Sequence, residues 1–491
     1  MFESAASSLG ESMASSKMPL VRASVAGTVR SVAKAPNNRI LYLPPCARRA
    51  SGQRKRRLVA LVVSHLGLPV RDRRRWRTHA RLLAAEACGT AYPLAVSPAD
   101  LTSAEQRVLD ALDTAELVQH LIDLVRVPSV TGTDAESDLQ HRSARELTEA
   151  GLDVDLWQLD LDDLRADPDF PGIEAERLEG YGLVGTTPGD GIPGLVLQGH
   201  VDVVPVGDLA KWAAGDPYSA RIDGDVLHGR GACDMKAGVA VNLAVARAIH
   251  RSGVRLERRL AIHSVVSEED GGLGAFATLR RGHGGEVAVI TEPTSGKVIT
   301  ANAGALTFRL EVPGRAAHGS TRGEGVSAFE AFWPIHLALR ALEAERHVDV
   351  DPRFAGHDLP YGISIGRVSA GDWSSSVPDL LTAEGRYGVR LGEDPAQARA
   401  VFEGRVAQAC AADPWLRENP VRVTWPGGQF ASGSLAPGHP LIGEVCRAVT
   451  DLGGALAVEA AAPYGSDLRL YAGVGGIPTL HYGPGDVRFA H

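Results

Sequence analysis

The sequence predicts an α/β fold, in which a layered domain built on a buried sheet is interrupted by a smaller α+β domain. Short apolar runs suited to buried strands occur at Gly194–Gln198, Leu260–Val266 and Val287–Ile290. An Ala- and Val-rich helix is predicted over Ala237–Ile249, directly after a Gly-rich turn. Alternation of buried strands with helices is typical of layered α/β domains, whose functional sites lie at the ends of the strands.

A change in the pattern of apolar and polar residues near residue 306 marks the start of the inserted domain. The pattern that follows predicts a strand, a helix, two further strands and a second helix: Thr307–Val312, Ser327–Glu345, Gly362–Val368, Leu381–Arg390 and Ala396–Ala411. The predicted alternation of buried strands and helices resumes after Val421. We therefore assign residues 306–420 to the inserted domain, and residues 101–305 and 421–491 to the first domain.

The first hundred residues differ from the rest in composition. Residues 1–100 hold 17 of the 51 Lys and Arg but only 5 of the 59 Asp and Glu, a net charge of +12. Three interpretations stay open: an organellar transit peptide, a basic arm that binds nucleic acid, or translated sequence upstream of the true start. We favour the third, which would make this segment not native coding sequence, and assign it no function. The first predicted helix begins with a capping box at Ser103–Gln106 and continues to Val125.

Composition also excludes some partners. Residues 101–491 hold 34 basic and 54 acidic residues, a net charge of −20, and an acidic surface disfavours a phosphate backbone. The longest apolar stretch, Leu58–Val70, is too short to span a bilayer. We therefore expect neither a nucleic-acid nor a membrane partner. Five widely spaced cysteines without a Cys-x-x-Cys pair indicate reduced thiols and a cytoplasmic location.

Acidic residues and histidines follow the predicted strands and recur at the end of the chain. The motifs are Gly199-His-Val-Asp202, Gly229–Gly238 around Asp234, Ser267-Glu-Glu-Asp270, Thr291-Glu-Pro293 and Gly483–His491. Each motif alone is more often a helix cap, a solvated acidic pair or a structural histidine. Together they indicate a metal, because carboxylates that follow buried strands are costly unless a cation pairs with them. Imidazole and carboxylate ligands without thiolates suit a zinc-type hydrolytic site.

In order and local sequence, these motifs resemble the metal site of the dinuclear-zinc amidohydrolases that include acetylornithine deacetylase, succinyl-diaminopimelate desuccinylase, aminoacylase and glutamate carboxypeptidase. The resemblance extends from Leu101 to the end of the chain. It implies a mixed sheet of the zinc-peptidase type and an inserted lid domain through which two identical subunits associate. It also implies two divalent metal ions, zinc in the first place, with cobalt or manganese as alternatives.

The resemblance implies a metal-binding role for five residues. His200 and Glu292 would bind one ion, Glu269 and His491 would bind the other, and Asp234 would bridge the two. Two such ions can polarise an amide carbonyl and activate a water molecule.

Two further residues of the motifs receive roles beside the metals. Glu268 would be the general base that moves the proton of the water to the departing amine, and Asp202 would orient the imidazole of His200. The resemblance also implies a cis peptide bond between Asp234 and Met235.

The inserted domain contributes three further expected roles, and one loop of the first domain contributes a fourth. His318 resembles a lid histidine that stabilises the oxyanion, often in the site of the other subunit; the structural alternative is a surface histidine in a turn. Arg390 resembles a lid arginine that binds a substrate carboxylate; the alternative is an exposed arginine at a strand end. Ser466 lies in a loop that lines the pocket in relatives. Ser375 stands where relatives commonly carry Asn, so we expect different substrate contacts there.

The implied reaction is removal of an acyl group from a small N-acyl amino acid or related amine, with acetylornithine as the leading substrate type. The alternatives are a desuccinylase, a glutamate-type carboxypeptidase, and a formylaminopyrimidine deformylase, which the segment around Trp373 resembles. A non-enzymatic alternative is a truncated, weakly active relative. Because relatives continue through a helix after the position of His491, we expect the metal shared by Glu269 and His491 to be bound more weakly.

Two other hydrolase classes are disfavoured. The Gly362–Gly366 segment matches the Gly-x-Ser-x-Gly pattern of serine hydrolases, but it lies inside an alternating strand rather than at a strand-to-helix turn. No His-Glu-x-x-His pattern of thermolysin-like proteases is present in the sequence.

Overall fold

A computed structural model describes residues 40–42, 101–212, 215–452 and 457–490. Most of the basic segment 1–100, with its three open interpretations, lies outside the described residues, and so does the predicted metal ligand His491. The described residues form a large mixed sheet and a separate antiparallel sheet, both covered by helices. The predicted α/β class with an additional sheet domain is confirmed.

A nine-stranded mixed sheet organises the first domain. In spatial order its strands are Gly433–Ser434, Val298–Asn302, Thr479–Gly483, Val287–Pro293, Leu195–His200, Leu260–Val265, Tyr181–Thr186 and Asp153–Gln158, with Glu459–Ala462 paired to Val298–Asn302. The central strand Leu195–His200 is parallel to both of its neighbours. All three strands are buried at every position, as expected when helices cover both faces. Their carboxyl ends therefore meet at one edge of the sheet.

Seven α-helices of the described residues belong to this domain: Ser103–Asp110, Thr114–Val125, Asp134–Glu149, Leu161–Ala166, Ala237–Ser252, Leu273–Arg280 and Pro440–Asp451. The helix predicted over Ala237–Ile249 is confirmed and runs three residues further, to Ser252. It ends at Gly253, whose φ of 65° is the left-handed conformation that commonly terminates helices. Val241 and Val245 of this helix share a buried cluster with Leu197 of the central strand.

The prediction of one continuous first helix is wrong in two respects. Thr102, not Ser103, is the N-cap: its hydroxyl accepts the amide proton of Glu105, and the Glu105 carboxylate accepts from the Thr102 amide. The helix then stops, and the carboxylate of Asp113 caps a second helix, Thr114–Val125. The apolar period continues across this break because both helices pack into the same core, so periodicity alone gave no sign of two segments.

An antiparallel sheet organises the inserted domain. In spatial order its strands are Ile363–Ala370, Leu380–Val389, Gly304–Pro313 and Arg422–Thr424, with Gln429–Phe430 also paired to Gly304–Pro313. Helices Ala328–Arg346, Pro395–Ala412 and Pro414–Glu418 complete the domain. The strands at 422–424 and 429–430 pair with this sheet. The sequence pattern had placed the start of the second part of the first domain at residue 421.

Shorter elements complete the described chain. The strand Val226–His228 pairs with Arg221–Asp223 and with Ile40–Tyr42, and Ala317–His318 pairs with Ser376–Val377. Short 3₁₀ and π turns occur at Leu209–Lys211, Ala232–Lys236, Gly319–Glu324, Pro352–Phe354, Leu470–Val474 and Val487–Phe489. Among the helices of the described ranges, none has both the length and the apolar character needed to cross a membrane.

Candidate metal centre

The parallel strands bring one histidine and several carboxylates to the same edge of the sheet. His200 is the last residue of the central strand, and its Nε2 lies 3.2 Å from Asp234 Oδ1, 3.6 Å from Glu292 Oε1 and 4.0 Å from Glu268 Oε2. Two groups of potential ligand atoms lie within 4.8 Å of one another: His200, Asp234 and Glu269, and His200, Glu268 and Glu292. Five of the residues predicted from the sequence therefore converge on one small volume.

The charge of this cluster fits a divalent cation. Burial raises the pKa of Glu268 well above its ordinary value; the charge of His200 opposes this shift, and the neighbouring carboxylates add to it. The pKa of Glu292 is also raised, by burial first and by Asp234 second. Four carboxylates crowded around one imidazole repel one another, and a bound cation would relieve that repulsion. The ligand set of imidazole nitrogen and carboxylate oxygen is the one that zinc-type sites use.

Asp202 connects the histidine to the acidic turn. It is fully buried, and its two carboxylate oxygens accept the amide protons of Glu268 and Glu269, both at 3.2 Å. His200 Nδ1 lies 3.0 Å from the backbone carbonyl of Asp202 and 3.5 Å from its Oδ1. Burial opposes ionisation of Asp202, but the bonds to His200 and to the amides keep its pKa below the ordinary value. Asp202 thus fixes both the imidazole and the turn that carries the two glutamates.

A buried lysine, Lys236, anchors the loop that carries Asp234. Lys236 Nζ donates to the carbonyls of Leu124 (3.0 Å) and Val127 (2.7 Å), at the end of the helix Thr114–Val125. Burial lowers the pKa of this lysine to about 7. The cis peptide bond implied between Asp234 and Met235 is present.

Two predicted residues lie together in the inserted domain. His318 is exposed at the end of a short strand, and its Nδ1 lies 2.7 Å from Ser320 Oγ. The carbonyl of Ser375 accepts the amide proton of Gly319 at 2.6 Å, so Ser375 neighbours the histidine. The roles of His318 in oxyanion stabilisation and of Ser375 in substrate binding stay predictions.

The two other predicted substrate-binding residues have their polar groups engaged within the protein. The hydroxyl of Ser466 is buried and lies 3.0 Å from His481 Nε2. Arg390 donates from Nε to the carbonyl of Arg346 (3.2 Å) and from Nη2 to that of Glu345 (3.1 Å), at the end of the helix Ala328–Arg346. Contact of either residue with substrate stays a prediction.

Sequence patterns did not reveal the contact that holds the residue before His491. Arg230 is buried, and its Nη1 donates to the carbonyl of Ala490 at 2.7 Å. Its Nη2 donates to the carbonyl of Pro205 at 3.3 Å, in the segment that follows His200 and Asp202. One guanidinium therefore ties the neighbour of one predicted ligand to the loops that carry the others.

We expect Arg230→Met to lower the affinity for one of two zinc ions by about tenfold or more, because supporting contacts of metal ligands commonly have effects of this size. The second ion should be bound as in the unmodified protein. Calorimetric titration of zinc into metal-free protein measures both sites, and Arg221→Met, which changes an exposed arginine, is the matched control. Equal weakening of both sites would contradict a local role for Arg230.

Known proteins resemble this chain over most of its length. N-formyl-4-amino-5-aminomethyl-2-methylpyrimidine deformylase from Bacillus subtilis is 28% identical to this chain, over 77% of the chain and 88% of that protein. Acetylornithine deacetylase from Erwinia tasmaniensis is 27% identical, over 75% of this chain and 89% of that protein. The solved structure of the di-peptidase Dug1p from Saccharomyces cerevisiae matches with a TM-score of 0.59 at 15% identity, covering 80% of this chain and 93% of its own; at that identity the match shows the fold.

The family assignment rests on the region that contains the candidate metal centre. Residues 196–491 match the family model described as peptidase family M20/M25/M40. This region is more than half of the chain and contains every described residue of the cluster around His200. The prediction of a hydrolase that acts on amide bonds is confirmed at the level of the family. The chain belongs to peptidase family M20/M25/M40.

Proposed function

We propose that this protein is a metal-dependent amidohydrolase that removes an acyl group from a small N-acyl amino acid or related amine, as an acetylornithine deacetylase does. The observation that carries the proposal is the convergence of His200, Asp234, Glu269 and Glu292 at the edge of the sheet where the parallel strands end. Relatives named as a deacetylase and as a deformylase support removal of an acyl group. A deformylase acting on an N-formyl amine is the second candidate, because that relative matches 77% of the chain.

The ligand set supports two zinc ions, with cobalt or manganese as alternatives. His200 and Glu292 would hold one ion, Glu269 and His491 the other, and Asp234 both. When bound, two divalent cations would polarise the amide carbonyl and make a water molecule more acidic.

Glu268 would transfer a proton from the attacking water to the departing amine. The residue is 7% exposed, and its carboxylate would take a proton from the attacking water and then deliver it to the nitrogen of the departing amine. Burial raises the pKa of Glu268, which favours the protonated form that the second transfer needs. The charge of bound cations would lower that pKa and favour the carboxylate that the first transfer needs.

A second buried carboxylate supports the turn that carries Glu268. Glu136 Oε1 accepts the amide proton of Ser267 at 3.1 Å, and its Oε2 lies 3.3 Å from Arg177 Nη1. Ser267 has a φ of 63°, a left-handed conformation that residues other than glycine seldom adopt. Surrounding contacts must stabilise such a conformation, and the bond from Ser267 to Glu136 is one of them. We infer that Glu136 positions Glu268 through this turn.

Glu136→Ala should lower kcat by about tenfold to a hundredfold, since small displacements of a catalytic group have effects of that order. The zinc content and KM should change little, because Glu136 contacts neither metal nor substrate in this proposal. Glu136→Gln retains an oxygen acceptor and should restore part of kcat. Steady-state kinetics with metal analysis measures these quantities, and an Ala variant with unchanged kcat would contradict the positioning role.

The assignment of Glu268 as the general base, rather than as a metal ligand, is tested by comparing two variants. Glu268→Ala should retain nearly normal zinc but lose most of kcat, because the general base lies outside the metal ligands. Asp234→Ala should lose both zinc and activity, because the bridging carboxylate serves both ions. Zinc content by atomic absorption and rates of N-acetyl-L-ornithine hydrolysis decide the matter. Equal loss of zinc in the two variants would overturn the assignment.

The inserted domain exposes a surface suited to a second copy of the chain. Phe329, Trp333 and Leu337, four residues apart on the helix Ala328–Arg346, are 61%, 59% and 52% exposed. Residues at this spacing share one face of a helix, and we call these three the apolar stripe. The strand Ile363–Ala370 of the same domain is an edge strand. Exposed apolar faces and open strand edges are features that subunit contacts cover, so we propose a homodimer formed through this surface.

Trp333→Glu should convert the dimer into a monomer, because it places a charge in the apolar stripe. If His318 acts in the site of the other subunit, the monomer should also lose most of its activity. Sedimentation velocity and the rate of N-acetyl-L-ornithine hydrolysis measure the two effects. Trp373→Glu changes a tryptophan that is 71% exposed outside the stripe, and should leave the dimer intact. Dimers that persist in Trp333→Glu would exclude the stripe as the interface.

A cytoplasmic location is part of the proposal. Cys233, Cys410 and Cys446, the cysteines within the described residues, are free thiols. Free thiols are typical of proteins in a reducing compartment.

A further inference from the structure

Four buried residues form a row across the large sheet, directly before the candidate metal ligands. They are paired in register on four neighbouring strands and are, in spatial order, Ile299, His481, Ile290 and Gln198. Residues paired in register project from the same face of a sheet, and so do residues two apart on one strand. His200 lies two residues after Gln198, and Glu292 lies two residues after Ile290. The row and these two ligands therefore project from one face.

The loop 463–467 lies over this row. At one end of the row, Asp467 Oδ2 accepts a hydrogen bond from Gln198 Nε2 at 2.8 Å. Two strands further along the row, Ser466 Oγ lies 3.0 Å from His481 Nε2. Both contacts are buried, so they hold the loop in a fixed position beside the metal centre.

Tyr464 is the side chain of this loop whose polar group is not used within the described part of the chain. The residue is half-buried, and its ring packs against the cluster that contains Ile299, the last residue of the row. Ser466 and Asp467 use their side chains to hold the loop. The hydroxyl of Tyr464 makes no hydrogen bond to any described residue. Because a phenol can donate and accept hydrogen bonds, this hydroxyl is available to a bound molecule.

The hydroxyl of Tyr464 faces the metal centre. Burial raises the pKa of this phenol well above its ordinary value, and the carboxylates of Glu292, Asp234 and Glu268 raise the pKa further. These carboxylates belong to three separate segments, and each acts on the hydroxyl without accepting a hydrogen bond from it. A space therefore separates the phenol from the groups that would hold and flank the metals. For a substrate that enters this space, an uncharged phenol is a hydrogen-bond donor.

We propose that Tyr464 is a further catalytic residue, whose hydroxyl donates a hydrogen bond to the oxygen of the scissile amide and stabilises the negative charge on that oxygen during hydrolysis. The inference rests on the proposed function and adds a group to the same site. A donor that is already in place where charge develops is one of the largest contributions that a site makes to catalysis. Tyr464 would act within its own chain, whereas the resemblance assigns His318 a similar role that is often exerted in the other subunit.

In the proposed step the hydroxyl of Tyr464 keeps its proton. The oxygen of the attacking water forms a bond to the carbonyl carbon, Glu268 takes a proton from that water, and the carbonyl oxygen gains the electron pair of the double bond. Tyr464 donates to this oxygen while it is negative. The electron pair then returns to re-form the double bond, the C–N bond breaks, and the proton held by Glu268 goes to the amine nitrogen. The products are a carboxylic acid and the free amine.

Tyr464→Phe removes only the hydroxyl and should lower kcat for N-acetyl-L-ornithine by about tenfold to a hundredfold in the zinc-loaded full chain. KM should change little, because the hydrogen bond becomes stronger only as charge develops. The zinc content, measured by atomic absorption, should equal that of the unmodified protein. Tyr387→Phe is the matched control, since it removes a hydroxyl from the core of the inserted domain, and it should leave kcat unchanged. An unchanged kcat in Tyr464→Phe, or a loss of zinc from it, would overturn the inference.

Binding of methylphosphonate distinguishes this inference from the proposed function. This ion has a tetrahedral centre with charged oxygens, like the adduct of water and an acetyl group, and it lacks the amine. In calorimetric titrations of the zinc-loaded full chain, Tyr464→Phe should weaken its binding by about tenfold or more, and Tyr387→Phe should not. If binding depends on Tyr464 but the unmodified protein hydrolyses neither N-acetyl-L-ornithine nor the N-formyl pyrimidine amine, the proposed substrates are wrong and the role of Tyr464 stands. An affinity for methylphosphonate that Tyr464→Phe leaves unchanged overturns the inference, whatever its kcat.

Discussion

Mutual repulsion among four carboxylates is the constraint around which the first domain is built. Glu268, Glu269 and Glu292 reach the same volume because the strands before them are parallel and end at one edge of the sheet. The segment that follows the strand Val226–His228 brings Asp234 to the same place. Without a cation, burial raises the pKa of Glu268 and Glu292 and favours their neutral forms. The fold therefore creates an environment that is most stable when positive charge is supplied from outside, and divalent metal ions supply it in the most compact form.

Support for this cluster comes from buried polar groups that are not themselves candidate metal ligands. Asp202 accepts the amide protons of both glutamates, and Glu136 accepts that of Ser267 just before them. Three backbone amides of this turn donate hydrogen bonds to buried carboxylates, so the turn has little freedom to move. Glu268 therefore stays close to His200. Arg230 and Lys236 act in the same way on backbone carbonyls around the cluster. The precision of the site thus depends on hydrogen bonds to the backbone.

The sequence predicted well those features that local pattern determines. His200, Glu268 and Glu292 follow or end buried apolar runs, so their position at the strand ends could be inferred before the structure was known. The register of the first cap, at Thr102 rather than Ser103, could not, because Thr and Ser are both good N-caps. Glu136 lies 131 residues from Ser267, and no spacing along the chain indicates such a contact. Arg386 was missed for a similar reason: in sequence it is an arginine in a strand, and only tertiary structure reveals that it donates to the carbonyl of Pro463.

The two domains contribute differently to the chemistry. The first domain brings several carboxylates together and holds them in fixed positions. This arrangement suits the hydrolysis of an amide bond and does not depend on the rest of the substrate. The inserted domain is joined to the first domain by Arg386, which lies on the sheet face that the helices leave free and donates from Nη2 to the carbonyl of Pro463 at 2.8 Å. Pro463 begins the segment that leads to Asp467, whose Oδ2 accepts a hydrogen bond from Gln198 on the central strand. The inserted domain is therefore attached by a short series of hydrogen bonds and one loop to the strand that carries His200.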